Sequence, residues 1–225
     1  MTPLEELQAL ANPQKAEEMA RYHKVERPYF GVANPVLDDF SIRIRAEVDL
    51  EKRLQIASDL WQSNVHEARV LAAKLLTQAR IRPDDQPAWE LIQSWVPSFD
   101  AWAVADHACM AGQKRLSWVP ARLDDVEPWT ASEHMWTRRA ALVITLPWTK
   151  DRHPKPEVID ARERILSWAA GYVPDHAWFI QKAVAWWLRD LSKRDPERVR
   201  AFLERYGDAM KPFARREAAR FLDQT

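Results

Sequence analysis

Four dipeptides, Thr2-Pro3, Asn12-Pro13, Asn34-Pro35 and Asp195-Pro196, each set a side chain that can accept a first-turn amide directly before a proline. Proline loses nothing at the start of a helix, because the amide it lacks has no intrahelical partner there. A chain punctuated this way is constrained to helices. Thr2 with Glu5, Asn64 with Glu67 and Thr130 with Glu133 have capping-box spacing. Between these signals apolar residues recur at three and four. The spacing predicts helices over 3–10, 13–23, 35–46, 50–62, 65–80, 84–95, 99–110, 113–119, 131–147, 156–170, 175–194, 196–206 and 212–222. Only 4 of 225 residues are glycine, and no long Val/Ile/Thr alternation marks a strand. Short connections make sequence neighbours antiparallel pairs. The expected fold is therefore all-α: HEAT-like helical repeats forming a curved α-solenoid with a concave groove, in one domain over 1–225. No strict sequence period is present, and a compact helical bundle is the alternative.

Charge says little about partners. There are 33 Lys/Arg and 33 Asp/Glu, for a net charge of zero. Between positions 189 and 220, ten basic residues face six acidic ones, a local excess of four that a solvated face explains equally well. The single cysteine, Cys109, excludes an internal disulfide and a cysteine zinc site. The six histidines are scattered, with no helical pair of the HExxH kind. No metal or cofactor is expected. There is no apolar run near 18 residues and no signal-like start, so the expectation is a cytoplasmic chain with no membrane partner. A monomer is the simpler expectation for its assembly.

Three segments break the binary pattern. In 179–193, Ile180, Val184, Trp187, Leu188 and Leu191 form one apolar stripe, while Lys182, Trp186, Arg189 and Lys193 run along the opposite side. One tryptophan thus faces the core and its neighbour sits among cations. Nucleic acid suits such a face; packing of Trp186 against another helix is the structural alternative. In FDAWAVADHA, Ala101, Val104, Ala105 and Ala108 share a small apolar face, leaving Trp102 and Asp106 together on the other. An indole beside a carboxylate suits a groove lining. In EHMWTRRAALVITL, Arg139 falls inside the stripe of Met135, Leu142, Val143 and Leu146, with Arg138 to its side. A guanidinium there needs an anion or carbonyls; Asp106 is one available anion, and a purely structural ion pair is the alternative.

The strings MARYHK, FDAWAVAD, MWTRRAALV, WFIQKAVAWWLRDLSKRDPERV and FARREAARFL resemble the bacterial DNA alkylation-repair glycosylases built from HEAT-like repeats, the AlkD type. The resemblance covers roughly 13–222. It implies excision of cationic N3- and N7-alkylated purines from duplex DNA. By position, Asp106 matches the family's catalytic aspartate, Trp102 and Trp186 its lesion-side tryptophans, and Arg139 the arginine near the lesion. Tyr22 matches an aromatic lining the DNA groove, and Arg215 and Arg216 fall where the family has basic residues beside the backbone. After Pro35 the family often carries basic residues, whereas this chain has Val36, Leu37, Asp38 and Asp39. A phosphate grip there would fall to Asn34 or Arg43.

The chemistry of these side chains fits that reaction. A base that is already cationic leaves as a neutral molecule, so no general acid is required. The developing oxocarbenium ion needs a carboxylate, for which Asp106 is suited. Indole faces attract cations by about 0.5–2 kcal/mol, and Lys182, Arg189, Arg215 and Arg216 suit backbone phosphates. The expected function is a monofunctional alkylpurine DNA glycosylase acting on double-stranded DNA. A catalytically silent HEAT-like DNA-binding module, or a protein scaffold, is the alternative.

Overall fold

The structure is a computed structural model, and it describes residues 1–222. Those residues form thirteen α-helices joined by short 3-10 turns, with no strand among them. The all-α expectation is met. The chain divides into two compact units, Met1–Val119 and Pro120–Thr225. The expected single domain ran to position 225; its last three residues, 223–225, lie outside the described residues.

The first unit holds α1 (Pro3–Ala9), α2 (Pro13–His23), α3 (Asn34–Glu47), α4 (Leu50–Gln62), α5 (His66–Leu75), α6 (Gln86–Trp95) and α7 (Trp102–Trp118). Helix α5 is its centre, packed on α3, α4 and α7. Its residues are buried nearly all round, from His66 to Leu75 with Lys74 as the exception. A helix with no wet face is a core helix. The second unit holds α8 (Leu123–Val126), α9 (Met135–Val143), α10 (Pro156–Gly171), α11 (Trp178–Ser192), α12 (Pro196–Tyr206) and α13 (Pro212–Ala218). There α11 is central, packed against α9, α12 and α13.

Three of the four Xaa-Pro signals cap helices as expected. Thr2 and Glu5 exchange bonds in a capping box, with the Thr2 amide 2.7 Å from the Glu5 carboxylate. Asn12 accepts from the Lys15 amide at 3.1 Å and Asp195 from that of Arg198 at 3.1 Å. Asn34 differs. It is the first residue of α3, Ala33 is the cap, and no side chain caps this helix. Pro35 remains tolerable because the whole first turn lacks intrahelical amide partners.

Two expected capping boxes do not form. Asn64 has φ 58°, the left-handed region, and Val65 caps α5. Glu67 instead turns its fully buried carboxylate to another part of the chain. It accepts the amides of Phe30, Gly31 and Val32 at 3.0, 2.6 and 3.2 Å. Thr130 donates to the Glu127 carbonyl within a 3-10 turn, and His134 precedes α9. The expected 99–110 and 113–119 helices are one helix, α7, beginning at Trp102. Gly112, between the two expected ranges, is buried inside it; tertiary packing outweighs the roughly 1 kcal/mol helix penalty of glycine. The expected 131–147 helix is shorter, because Pro147 cannot donate in an α-helical ladder and the chain tightens into a 3-10 turn at Leu146–Thr149.

Candidate nucleic-acid interface

In the first unit, the carboxylate of Glu67 positions the site. By holding 30–32 it fixes the loop after α2, and the Asn12 amide adds a bond to the Phe30 carbonyl at 2.7 Å. Gly31 sits at φ 74°, and a Cβ there would lie 2.3 Å from the Asn12 carbonyl oxygen, so only glycine fits. This loop brings the end of α2 against the start of α7. The Tyr22 ring stands edge-on to Trp102, centroids 6.1 Å apart. His23 lies 5.7 Å from Trp102 and stacks on His66 at 4.4 Å, and Tyr29 closes the stack 5.0 Å from His66. Arg27 and Asp100 form an ion pair that ties the same loop to the segment preceding α7.

Helix α7 then sorts its residues as the pattern predicts. Ala103, Val104, Ala105 and Ala108 are buried, as is Ala101 before them. Trp102 is exposed, and Asp106 follows one turn later, half-buried on the same side. The neighbouring histidines are uncharged at neutral pH. Burial pushes His66 down to about 3, reinforced by repulsion from His23 and His107 in their charged forms and from Arg27. Burial lowers His23 as well, with Glu67 opposing. His107 is lowered by burial and by Lys74, against Asp106 and Asp38. Asn34 is exposed at the start of α3. Asp38 pairs with Lys74 at 2.5 Å, and Arg43 pairs with Glu6.

In the second unit, α11 buries Ile180, Val184, Trp187, Leu188 and Leu191 and leaves Lys182 and Lys193 exposed, with Trp186 and Arg189 half-buried. Lys182, Trp186 and Arg189 line a cavity of about 460 Å³ together with Trp178, Phe213 and Glu217. Trp178 and Phe213 stack at 3.9 Å, and Trp178 is 53% exposed. The tryptophan of the stripe is held from one side: its Nε1–H donates to Asp190 at 3.1 Å. Arg189 pairs with Glu217 and lies 3.4 Å from Asp190. The face is thus less basic than the spacing of its cations implies. On α13, Arg215 pairs with Asp208 at 2.7 Å and Arg216 is exposed.

Arg139 on α9 is buried as expected, its guanidinium 5.7 Å from the Trp136 ring centroid, with that ring 4.7 Å from Phe179. Arg138 is structural. It holds the Ser132 and Glu133 carbonyls and pairs with Asp175 at 2.8 Å.

Sequence reasoning missed Trp178, Phe213, Asp190 and Glu217. Trp178 was within reach, since it lies four residues before Lys182 and eight before Trp186 on the same stripe. Phe213 and Glu217 reach this face only through the packing of α13 on α11, which no local spacing encodes.

The all-helical architecture of the described residues is of the helical-repeat class. The chain belongs to the family described as DNA alkylation repair enzyme, whose model matches residues 4–222. Its role is therefore in the repair of alkylated DNA, with DNA as the substrate. Among solved structures, the chain is similar to a predicted DNA alkylation repair enzyme from Enterococcus faecalis, at TM-score 0.80 and 21% identity over 96% of this chain and 98% of that one. It is also similar to AlkD2 from Streptococcus mutans, at TM-score 0.63 and 18% identity over 94% and 99% of the two chains. The smu.31 protein of Streptococcus mutans UA159 matches at TM-score 0.64 and 18% identity over 96% and 100%. At these identities the likeness concerns the fold. No curated protein matches the chain. Among the described residues no helix is long and apolar enough to cross a membrane, and no group of three or more His, Cys, Asp or Glu is placed to hold a metal ion.

Proposed function

We propose that the protein is a monofunctional DNA glycosylase that hydrolyses the N-glycosidic bond of cationic N3- and N7-alkylated purines, such as 3-methyladenine and 7-methylguanine, in duplex DNA. The observation that carries this reading is the open face of α7. It presents the Asp106 carboxylate one turn from the exposed Trp102 indole, with Tyr22 set against that indole, while the inward residues of the same segment are buried. A scaffold gains nothing from a carboxylate displayed toward a polyanion, which it repels.

An N3- or N7-alkylpurine departs with the glycosidic electron pair and becomes neutral. The positive charge passes to the deoxyribose as an oxocarbenium ion. Asp106 stabilises that ion and takes the proton of the attacking water, so the products are a free neutral base and an abasic sugar. An indole face attracts such a cation by about 0.5–2 kcal/mol, the role proposed for Trp102 and, from the family resemblance, for Trp186. Two such contacts contribute about tenfold to several-hundredfold in rate. Arg139, buried against Trp136, is assigned from the family resemblance the role of a fixed positive charge near the lesion. Lys182, Arg189, Arg215 and Arg216 contact backbone phosphates, while Tyr22 and Asn34 line the groove. No side chain is assigned as an amine nucleophile, so the strand stays intact.

Methylated duplex DNA is incubated with the protein and the released bases are separated by chromatography. Free 7-methylguanine and 3-methyladenine with an uncut strand is the expected result. Tight binding with no released base assigns the silent DNA-binding reading instead.

A further inference from the structure

A second exposed tryptophan stands at the far end of α7. Trp118 is the last residue of the helix and 56% exposed. It lies roughly 24 Å along the helix from Trp102 and roughly 160° around its axis, so it serves a different surface from Asp106. The Arg80 guanidinium sits over its ring, 5.1 Å from the centroid. With Arg80, Ile81, Arg82 and Pro83 it lines an open cavity of about 600 Å³. Lys114, exposed, lies one helical turn before it.

Two properties separate this patch from a chance surface tryptophan. The first is rigidity. Arg115, fully buried on α7, holds the loop that carries Arg80 and Arg82: it donates to the carbonyls of Gln78 and Ala79, the latter at 3.2 Å, and pairs with Asp85 at 3.2 Å. Arg53 holds the Gln78 side chain from the other side. The second is uncompensated charge. Arg80, Arg82 and Lys114 form no ion pair among the described residues. Asp84, the acid in this loop nearest in sequence to Arg82, turns an oxygen to the Gln86 amide at 3.0 Å.

We propose that this patch is a second nucleic-acid contact, which takes a single-stranded segment of DNA. A base stacks on the Trp118 indole while Arg80, Arg82 and Lys114 meet the adjoining phosphates. Intact duplex buries base faces in its own stack and offers this surface only phosphates; an unpaired strand offers both. DNA is favoured over an acidic peptide because DNA is the substrate of the family to which the chain belongs. The contact is independent of the reaction assigned to Asp106.

The test is fluorescence anisotropy on three probes: a labelled single strand of mixed sequence, a blunt unmodified duplex, and a poly-glutamate peptide as competitor. Trp118→Ala is expected to weaken single-strand binding by about 5- to 150-fold and to leave duplex binding and base release unchanged. Arg80→Ala with Arg82→Ala is expected to reduce the salt slope for the single strand by about 1.4. The proposal is overturned by a wild-type protein that ignores the single strand, by an unchanged affinity in Trp118→Ala, by equal losses on blunt duplex, or by poly-glutamate displacing the single strand.

Discussion

At the scale of single residues, Glu67 shows how a spacing can mislead. Three residues after Asn64 it has the position of a capping-box acid, yet its carboxylate takes three consecutive amides from 30–32. The spacing was legible; the partner was not, because Asn64 adopts φ 58° and cannot cap. Glu67→Gln keeps the shape but exchanges an acceptor oxygen for a donor that faces an amide. The expected cost is about 2–4 kcal/mol in urea unfolding. Since the same loop seats Tyr22 against Trp102, the variant is also expected to lose base-release rate under conditions where it remains folded. Trp102 and Asp106 could be found from sequence because they stand together outside the apolar face of their segment, and Trp186 because it is an indole in a stripe of cations. Trp178 and Phe213 looked like ordinary apolar residues, and only their stacking on an open face sets them apart.

Among the elements, α11 was the most readable, and its sorting into buried and open sides follows the periodicity residue by residue. What the periodicity hid is the acidic lining. Asp190 lies four residues after Trp186 and takes its indole proton, and Glu217 arrives from α13 to pair with Arg189. Phosphate binding here therefore competes with internal carboxylates. Lys182 is the exposed cation of this cavity. Lys182→Ala is expected to weaken duplex binding on every sequence and to reduce the salt slope by about 0.9. Glu217→Gln removes one of the two carboxylates beside Arg189 and is expected to do the reverse, tightening binding and steepening the slope. Titrations across a salt series read both, and a weaker Glu217→Gln complex contradicts the assignment of Arg189 to phosphate. Helix α7 spans the two ranges expected separately, and the burial of Gly112 between them is a tertiary feature that local spacing does not encode.

For the molecule as a whole, part of the balance between 33 basic and 33 acidic side chains is held in internal ion pairs. Between 189 and 220, Arg189, Arg200 and Arg215 pair with acids of the same stretch, and Arg198 pairs with Glu163 outside it. The all-helical class was legible throughout, from proline punctuation and scarce glycine; the division into two compact units was not, since no linker composition marks it. Stability should carry the imprint of the buried histidine stack. His66 has a native value of about 3 against an ordinary 6.5, so between these values the unfolded chain binds a proton that the native state refuses. Stability is therefore complete above pH 6.5 and falls as pH drops toward 3. From pH 7 to pH 5 this residue alone accounts for about 2 kcal/mol. His66→Phe, which keeps a ring against His23 and Tyr29, is expected to lose that much less over the same interval in urea unfolding. Equal losses in the two proteins would remove His66 as the cause.

The claim on which the account turns is that the carboxylate on α7 performs the excision. Single-turnover release of 7-methylguanine from duplex DNA, measured for the wild-type protein and for Asp106→Asn at matched DNA occupancy, tests it most directly. The variant is expected to bind the duplex as well as the wild type and to lose most of its release rate. Release at the wild-type rate by Asp106→Asn contradicts it.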